Sequence, residues 1–295
     1  MKPGELISVV IPVYNREAKI GRAVASVLAQ TYESIEVVVV DDASPDGTAA
    51  AVEAIDDPRV RLVRHDRNCG AGTARNTGVA AARGEWIAFQ DSDDDWLPQK
   101  LERQVAMMAE LPSDYVAVFC TKIDYGCDEH AHYGPRLTCC IPHPDERIES
   151  GDLHPRLLKG NIIGPQTTLI SKKAFLAVGG FDPRLRNNND WDFFIRLSAH
   201  GKIGFLDNPL VVVMYSPDSI SRNPSYKMRS FVMVFGKIRR RTSDPVLLAN
   251  HASAVSSHLR RGGRKKSALL YMRKSISLNP FKLKTYAKYI YTLIK

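Results

Sequence analysis

The sequence predicts an α/β protein with a mostly parallel central sheet, followed by a basic helical extension. Three observations lead there. Short β-branched runs alternate with helix-period segments over residues 7–90, polar residues gather just past the ends of those runs, and Lys and Arg crowd residues 225–295. At 295 residues, 44% hydrophobic and 25% charged, the chain can bury one large core and carry an appendage. The expected division is residues 1–222 and residues 223–295.

Ile7 to Val13 is a continuous apolar run and reads as a buried strand; Tyr14-Asn15-Arg16-Glu17 follows, then helix periodicity from about Lys19 to Gln30. Ile35 to Val40 repeats the theme, and the polar turn from Asp41 to Gly47 leads into a helix over Thr48 to Ile55. Val60 to Val63 is a third strand, Gly70 to Arg83 a third helix and Trp86 to Gln90 a fourth strand. In such sheets crossovers are right-handed, and ligands bind outside the carboxyl ends of the strands. Tyr14, Asn15, Asp41 and Asp91 all fall just past strand ends, so separate segments converge on one edge. Beyond residue 98 the pattern predicts a helix over Gln99 to Glu110, a strand near Tyr115 to Thr121 and an active-site loop over residues 125–150. It continues with a helix over Lys172 to Val178, the turn Gly179-Gly180-Phe181-Asp182, a helix from Asp190 to His200 and a strand over Leu210 to Tyr215. The extension reads as helices over Phe231 to Arg241, Pro245 to Arg261, Arg264 to Leu278 and Lys282 to Ile294. The last places Tyr286, Ile290 and Leu293 at i, i+4 and i+7. Ala268 to Pro280, with Gly262-Gly263 before it, is similar to the second half of a tetratricopeptide unit, but one copy makes no repeat.

The net charge of +9 is split: residues 225–295 hold 17 Lys and Arg against the single acid Asp244, a net +16, while residues 1–224 hold 24 against 31, a net −7. A basic tail on an acidic body fits docking on an anionic membrane surface, or else helices whose charges are simply solvated. No recognition motif accompanies the charge, so a specific nucleic-acid partner is not expected. The longest apolar runs, such as Leu210 to Tyr215, fall far short of the roughly 20 residues of a span, and Met1 to Asn15 lacks signal-peptide layout. The expected location is cytoplasmic, peripheral on the inner face of the membrane if the tail docks. Five cysteines without paired spacing fit a reducing compartment. Cys127, His130, His132, Cys139, Cys140 and His143 lack a Cys-x-x-Cys pair and read as a variable loop rather than a zinc site.

The stretch Trp86-Ile-Ala-Phe-Gln-Asp-Ser-Asp-Asp-Asp-Trp96 ends an apolar run in four carboxylates. Extended backbone repeats its direction every two residues, so Asp91 and Asp93 are expected on one face. Two hard oxygen donors so close suit Mg2+ or Mn2+, with open positions for water and ligand phosphates. A solvated turn is the plain alternative. A calcium loop fails because Trp96 stands where the loop needs glycine and a strand precedes it. No Gly-x-Gly-x-x-Gly follows the first strand and no Gly-x-x-x-x-Gly-Lys occurs, which excludes dinucleotide and P-loop sites.

With these residues in hand, the chain resembles family 2 glycosyltransferases of the GT-A fold. The likeness runs from about Leu6 to Tyr215 and rests on Val9-Val-Ile-Pro-Val-Tyr-Asn15, Ser26-Val-Leu-Ala-Gln30-Thr-Tyr32, Val38-Val-Val-Asp41-Asp-Ala-Ser44, Asn68-x-Gly70 to Ala74-Arg75-Asn76-x-Gly78, Asp91-Ser92-Asp93-Asp94, Gly179-Gly-Phe-Asp182 and Asn189-Asp190-Trp-Asp, in order. The resemblance implies an inverting transfer of a sugar from a nucleotide-sugar donor, UDP-linked, to a saccharide or lipid-linked saccharide in surface polysaccharide assembly. It implies that Pro12, Val13, Tyr14, Asn15 and Asp41 form the base and ribose pocket, and that Arg75 contacts the nucleotide or its diphosphate. Asp91 and Ser92 would lie on the ribose side, with Asp93 holding the metal. Asp190 matches the family's general base, with Asp192 and Asp182 as alternatives; as an opening residue of a helix it is expected to be held ionised, or simply to cap that helix. The usual Glu-Asp pair is Asn189-Asp190 here, one charge fewer. Trp96 and Trp191 could stack on sugars or pack in the core, and for Trp96 the core is the preferred reading. Two rival functions stay open: sugar nucleotidyl transfer, which needs a glycine-rich basic loop where Val13-Tyr-Asn-Arg16 stands, and a non-enzymatic scaffold for membrane or nucleic acid.

Overall fold

A computed structural model of the chain describes residues 1–2, 4–125, 138–143, 145–214 and 224–294. Among them, nine strands form one sheet: β1 (Ile7–Val13), β2 (Ile35–Asp41), β3 (Val60–Arg64), β4 (Trp86–Phe89), β5 (Asp95–Trp96), β6 (Tyr115–Tyr125), β7 (Thr138–Ile141), β8 (Thr168–Ser171) and β9 (Lys202–Met214). The order is β3-β2-β1-β4-β8-β6-β9-β5, with β7 paired to β6. The first four strands are parallel to one another, each reached from the last by a crossover connection. β8 lies antiparallel between β4 and β6, and β6 pairs with β9 in parallel.

Every residue of β1 and β2 is buried, so both faces of the sheet must be covered. On one face Val9, Ile11, Val37 and Val39 meet Ile20, Val24 and Val27 of α1 (Glu17–Leu28). α2 (Thr48–Glu53) follows β2. Against the other side of β1 lies α3 (Ala71–Ala81), so near that a Cβ on Gly78 would meet Val10 Cγ1 at 2.2 Å. Leu101, Val105 and Met108 of α4 (Lys100–Glu110) extend the first core. The remaining helices of this part are α5 (His154–Lys159), α6 (Lys172–Ala177) and α7 (Asn189–Ser198).

Strand content exceeds the sequence expectation in the second half. β9 begins eight residues before Leu210, because Gly204, Asp207, Asn208 and Pro209 hide a strand whose partner β6 supplies the ladder and absorbs the irregularity as register shifts. β5 is only two residues long and pairs with β9, a contact that no local pattern announces. Tyr215 and the expected domain boundary at 222/223 lie outside the described residues, as does half of the loop over 125–150.

The chain divides into two compact units, Met1–Pro183 with Asp190–Pro217, and Arg184–Asn189 with Asp218–Lys295. The second holds α8 (Pro224–Ile238), α9 (Pro245–Arg261), α10 (Lys265–Leu278) and α11 (Leu283–Ile294). Asp244 caps α9 by accepting from the N–H groups of Val246 and Leu247 at 2.9 and 3.2 Å, with Pro245 in the first turn. Small residues draw α9 and α10 together: Ser256 Oγ donates to the Ala268 carbonyl and Ser275 Oγ to that of Ala249, each at 2.7 Å. Among the described residues no helix is long and apolar enough to cross a membrane.

Candidate active site

Parallel register aligns the ends of β1 and β2, Val13 opposite Asp41, and β4 ends three residues earlier, Phe89 opposite Val10. The segments that follow therefore leave one edge of the sheet. Pro12 and Val13 are buried within β1, so the side chains that reach outward are Tyr14, 43% exposed, and Asn15. Asn15 takes a left-handed φ of 55°. Its N–H donates to Ser44 Oγ at 2.9 Å, and the Ser44 N–H donates to Asp41 Oδ1 at 3.0 Å, which ties the first two loops together. Asp41 is fully buried; among the described residues its Oδ2 accepts no hydrogen bond, and Arg64 Nε lies 3.6 Å from it.

Arg75 rises from α3, which the missing side chain of Gly78 lets approach β1. It is buried, donates from Nη2 to Asp91 Oδ1 at 2.6 Å, and lies over the Phe181 ring at 5.5 Å, while its Nε has no hydrogen-bond partner among the described residues. Phe181 is fixed by Asn76, which donates to its carbonyl and accepts from its N–H, both at 2.8 Å. A Cβ on the preceding Gly180, at φ 61°, would meet Asn76 Oδ1 at 2.6 Å, so only glycine fits there.

After Phe89 the chain turns instead of running on, with the Asp94 N–H donating to the Asp91 carbonyl at 3.2 Å. The expected alternation fails there, because a turn replaces extended backbone. The turn still gathers the acids. Asp93 is raised above the ordinary carboxylate range, first by burial and then by the Asp91 charge, with Arg16 Nε 3.7 Å away as a counterweight. Asp94 points inward, 2% exposed, and accepts from Gln166 Nε2; burial, then Asp91 and Asp93, push it well up. Ser92 is also buried. Asp95 leaves the group, pairing with Arg22 at 3.1 Å, and Glu102 accepts from Thr31, so no calcium loop forms.

α7 brings Asp190 to the same edge, close enough that Arg75 lowers and Asp91 raises its pKa. Burial outweighs the rest, and the net direction is upward. That reverses the sequence expectation of a carboxylate stabilised by the helix end: desolvation exceeds the N–H bond from Trp191. Asp190 lies inside the first helical turn rather than capping it, and its Oδ2 accepts from Asn161 Nδ2 at 2.8 Å. Asn189 is buried and donates to the Leu185 carbonyl at 3.3 Å. Asp192 is taken up by Arg196 at 2.9 Å, which also holds the Val178 carbonyl; Asp182 follows the glycine turn. Beneath the site, the rings of Phe89, Phe175, Phe181 and Phe193 lie within 4.6–5.9 Å of one another in successive pairs and lock α7 to β4. Trp96 and Trp191 are both buried, donating to the carbonyls of Gln166 and Leu157, and belong to the core.

Sequence reasoning missed Asp42 as an organiser. Its oxygens accept from the N–H groups of Cys69 at 2.8 Å and Gly70 at 2.6 Å, and His65 Nδ1 lies 2.7 Å away, so it fastens β2 to the start of α3. Asp42, His65 and Cys69 offer ligand atoms within 4.8 Å of one another, but the carboxylate is already satisfied by main-chain donors. The adjacent acids Asp41-Asp42 were the signal; strand alternation sends them to different surroundings. Buried Lys100 was also unforeseen. Cys127, His130 and His132 lie outside the described residues. A cavity of about 990 Å³ opens at the opposite edge of the sheet, lined by Trp86, Tyr115 and Lys202 among others, and none of the predicted site residues faces it.

An open α/β sheet with an acidic turn, a buried arginine and an isolated helical carboxylate at its carboxyl edge defines the GT-A class. Solved structures agree on the fold: S. aureus TarS 1-349 matches with a TM-score of 0.67 at 20% identity, covering 93% of this chain and 81% of that one. It has also been solved with UDP and with UDP-GlcNAc. The mannosyltransferase PcManGT from Pyrobaculum calidifontis, in complex with GDP-Man and Mn2+, matches at 0.60 and 20% identity, covering 98% of this chain and 84% of that one. The family model for glycosyl transferase family 2 matches residues 8–175, and that for glycosyltransferase like family 2 matches residues 158–273. The chain belongs to glycosyl transferase family 2. The teichuronic acid biosynthesis glycosyltransferase TuaG of Bacillus subtilis, a putative assignment there, is 31% identical over 80% of this chain and 89% of its own length. The succinoglycan biosynthesis protein ExoO of Rhizobium meliloti is 54% identical over 34% of this chain. WfgD of Escherichia coli, named a UDP-Glc:alpha-D-GlcNAc-diphosphoundecaprenol beta-1,3-glucosyltransferase, is 45% identical over 35%. The matched region spans 28% of ExoO and 41% of WfgD, less than two thirds of either.

Proposed function

We propose that the chain is an inverting, metal-dependent glycosyltransferase that moves a sugar from a UDP-linked donor to a saccharide or lipid-linked saccharide in surface polysaccharide biosynthesis. The observation that carries this reading is the meeting of Arg75, Asp91, Asp93 and Asp190 at one sheet edge, beside the Asp41 oxygen that is buried without a hydrogen bond. The names of ExoO, TuaG and WfgD support the biosynthetic setting, and the UDP complexes of TarS support the donor.

In this reading Tyr14 and Asn15 flank the base, Pro12 and Val13 hold their loop, and Asp41 Oδ2 accepts from a uracil-type N–H. Asp91 and Ser92 face the ribose side. Asp91 and Asp93 would hold Mg2+ or Mn2+, and the fit is good: both are hard oxygen donors, and a cation would offset the burial and the Asp91 charge that together raise Asp93. When bound, the ion neutralises charge on the departing diphosphate. Arg75 offers a second positive charge and an unused N–H to the same group. Asp190, held above the ordinary carboxylate range, is a better proton acceptor for it. It takes the proton of the acceptor hydroxyl, whose oxygen bonds to the anomeric carbon from the side opposite the phosphate. The bond to phosphate breaks, the nucleoside diphosphate leaves and the configuration inverts.

The test is a donor panel with Mn2+, scoring nucleoside diphosphate release. Asp93→Ala and Asp190→Asn are expected to lose about 100-fold or more in turnover, with Asp190→Asn still binding donor. The acid limb of kcat/KM should lie above the 3.8 of an ordinary aspartate. Pyrophosphate release would instead indicate nucleotidyl transfer, no turnover of any donor would favour a scaffold, and undiminished activity in a chelator would contradict the metal.

A further inference from the structure

α11 wears its apolar side outward. Leu283, Tyr286, Ile290 and Leu293 recur at i, i+3, i+7 and i+10, a single helical face, and are 80, 38, 55 and 46% exposed. The side turned inward carries Thr285 and Thr292, each 2% exposed, with half-buried Tyr289 between them. Ordinary packing does the opposite, hiding the apolar stripe and wetting the threonines. The orientation is held by Arg273, whose Nε donates to the Tyr289 hydroxyl at 2.9 Å. Phe281, 91% exposed, continues the outward surface just before the helix, and Lys284 and Lys288 are exposed on the side of the helix away from the stripe.

We propose that this face is a docking surface for an anionic lipid bilayer, with α11 lying in the plane of the interface. Phe281, Leu283, Ile290 and Leu293 enter the boundary between headgroups and acyl chains, and Lys284 and Lys288 remain among the headgroups. Charge decides among the occupants. Residues 225–295 carry a net +16, which attracts an anionic leaflet and repels a second copy of the same face. The surface belongs to the second unit alone and does not depend on the transfer chemistry.

Flotation of the full chain with vesicles of phosphatidylcholine, alone or mixed with phosphatidylglycerol, tests it. The chain is expected to float with the mixed vesicles at low salt, weakly at high salt and not with phosphatidylcholine alone. Leu283→Asp with Ile290→Asp should weaken partition at least about tenfold while leaving thermal unfolding unchanged, since both side chains are already exposed. Lys284→Glu with Lys288→Glu, which leaves the apolar stripe intact, should also weaken it about tenfold or more. Absence of flotation on the mixed vesicles at low salt, or flotation indifferent to all these substitutions, would overturn the proposal. So would a dimer in solution that dissociates on Leu283→Asp with Ile290→Asp, which would make the face an interface between copies.

Discussion

Lys100 is fully buried, with Nζ 2.9 Å from Gln104 Oε1 and 3.7 Å from the centre of the Trp96 ring. Burial lowers its pKa from 10.5 to about 8, while burial raises Cys120 nearby from 9.0 to about 11. The two shifts act on stability with opposite sign. Between pH 8 and 10.5 the unfolded chain holds a proton on Lys100 that the folded chain has released, so stability rises with pH by up to about 1.4 kcal/mol per pH unit. From pH 9 to 11 the folded chain keeps the Cys120 proton that the unfolded chain loses, and stability falls. Urea midpoints should therefore climb from pH 8 to 9 and then level off, whereas Cys120→Ala should keep climbing to about pH 10.5. A flat wild-type profile from pH 8 to 9 would show that Lys100 is not desolvated. Nothing in Pro98-Gln-Lys-Leu-Glu marks this lysine in the sequence. Its burial follows from α4 lying on Trp96, and Trp96 itself is held in the core by the short pairing of β5 with β9 and by its bond to the Gln166 carbonyl.

At the scale of elements, α3 shows a packing demand overriding local preference. Gly78→Ala gains roughly 1 kcal/mol of helix propensity, yet the added Cβ would lie 2.2 Å from Val10 Cγ1 inside a buried strand. Overpacking of that kind costs about 3 kcal/mol at the upper end, so the expected outcome is a net loss of about 2 kcal/mol, read from denaturant unfolding. An increase in stability would mean that α3 can shift away from β1. Here the sequence is informative: Gly78 belongs to the Asn68 to Gly78 motif, and the apolar runs of β1, β2 and β4 indicate the edge at which the carboxylates gather. Legibility declined where contacts at long sequence separation decide. Lys202 to Asn208 becomes strand because β6 is beside it, and Asp94 differs from Asp91 and Asp93 only through a turn that aims it at Gln166. The general-base role proposed for Asp190 rests on family resemblance, since nothing local separates it from a cap. Its raised pKa depends on burial and neighbours that only the folded chain supplies. The stripe of Tyr286, Ile290 and Leu293 was readable as one helical face, but periodicity cannot tell inward from outward.

For the molecule as a whole, charge is partitioned between the two units, and the edge that gathers the carboxylates draws on β1, β2, β4, α3 and α7 within the first. The sheet is not assembled in chain order. β8, antiparallel between β4 and β6, joins the parallel half to the rest, and its residues arrive nearly eighty positions after β4 ends. During synthesis on the ribosome, then, the nascent chain waits with the rims of β4 and β6 bare until Thr168–Ser171 emerges, and bare rims recruit other strands. A chain stopped after residue 165 is expected to sediment as aggregate without a cooperative urea transition; a soluble monomer with a sharp transition would contradict this. The four residues of β8 thus act as the keystone of the sheet.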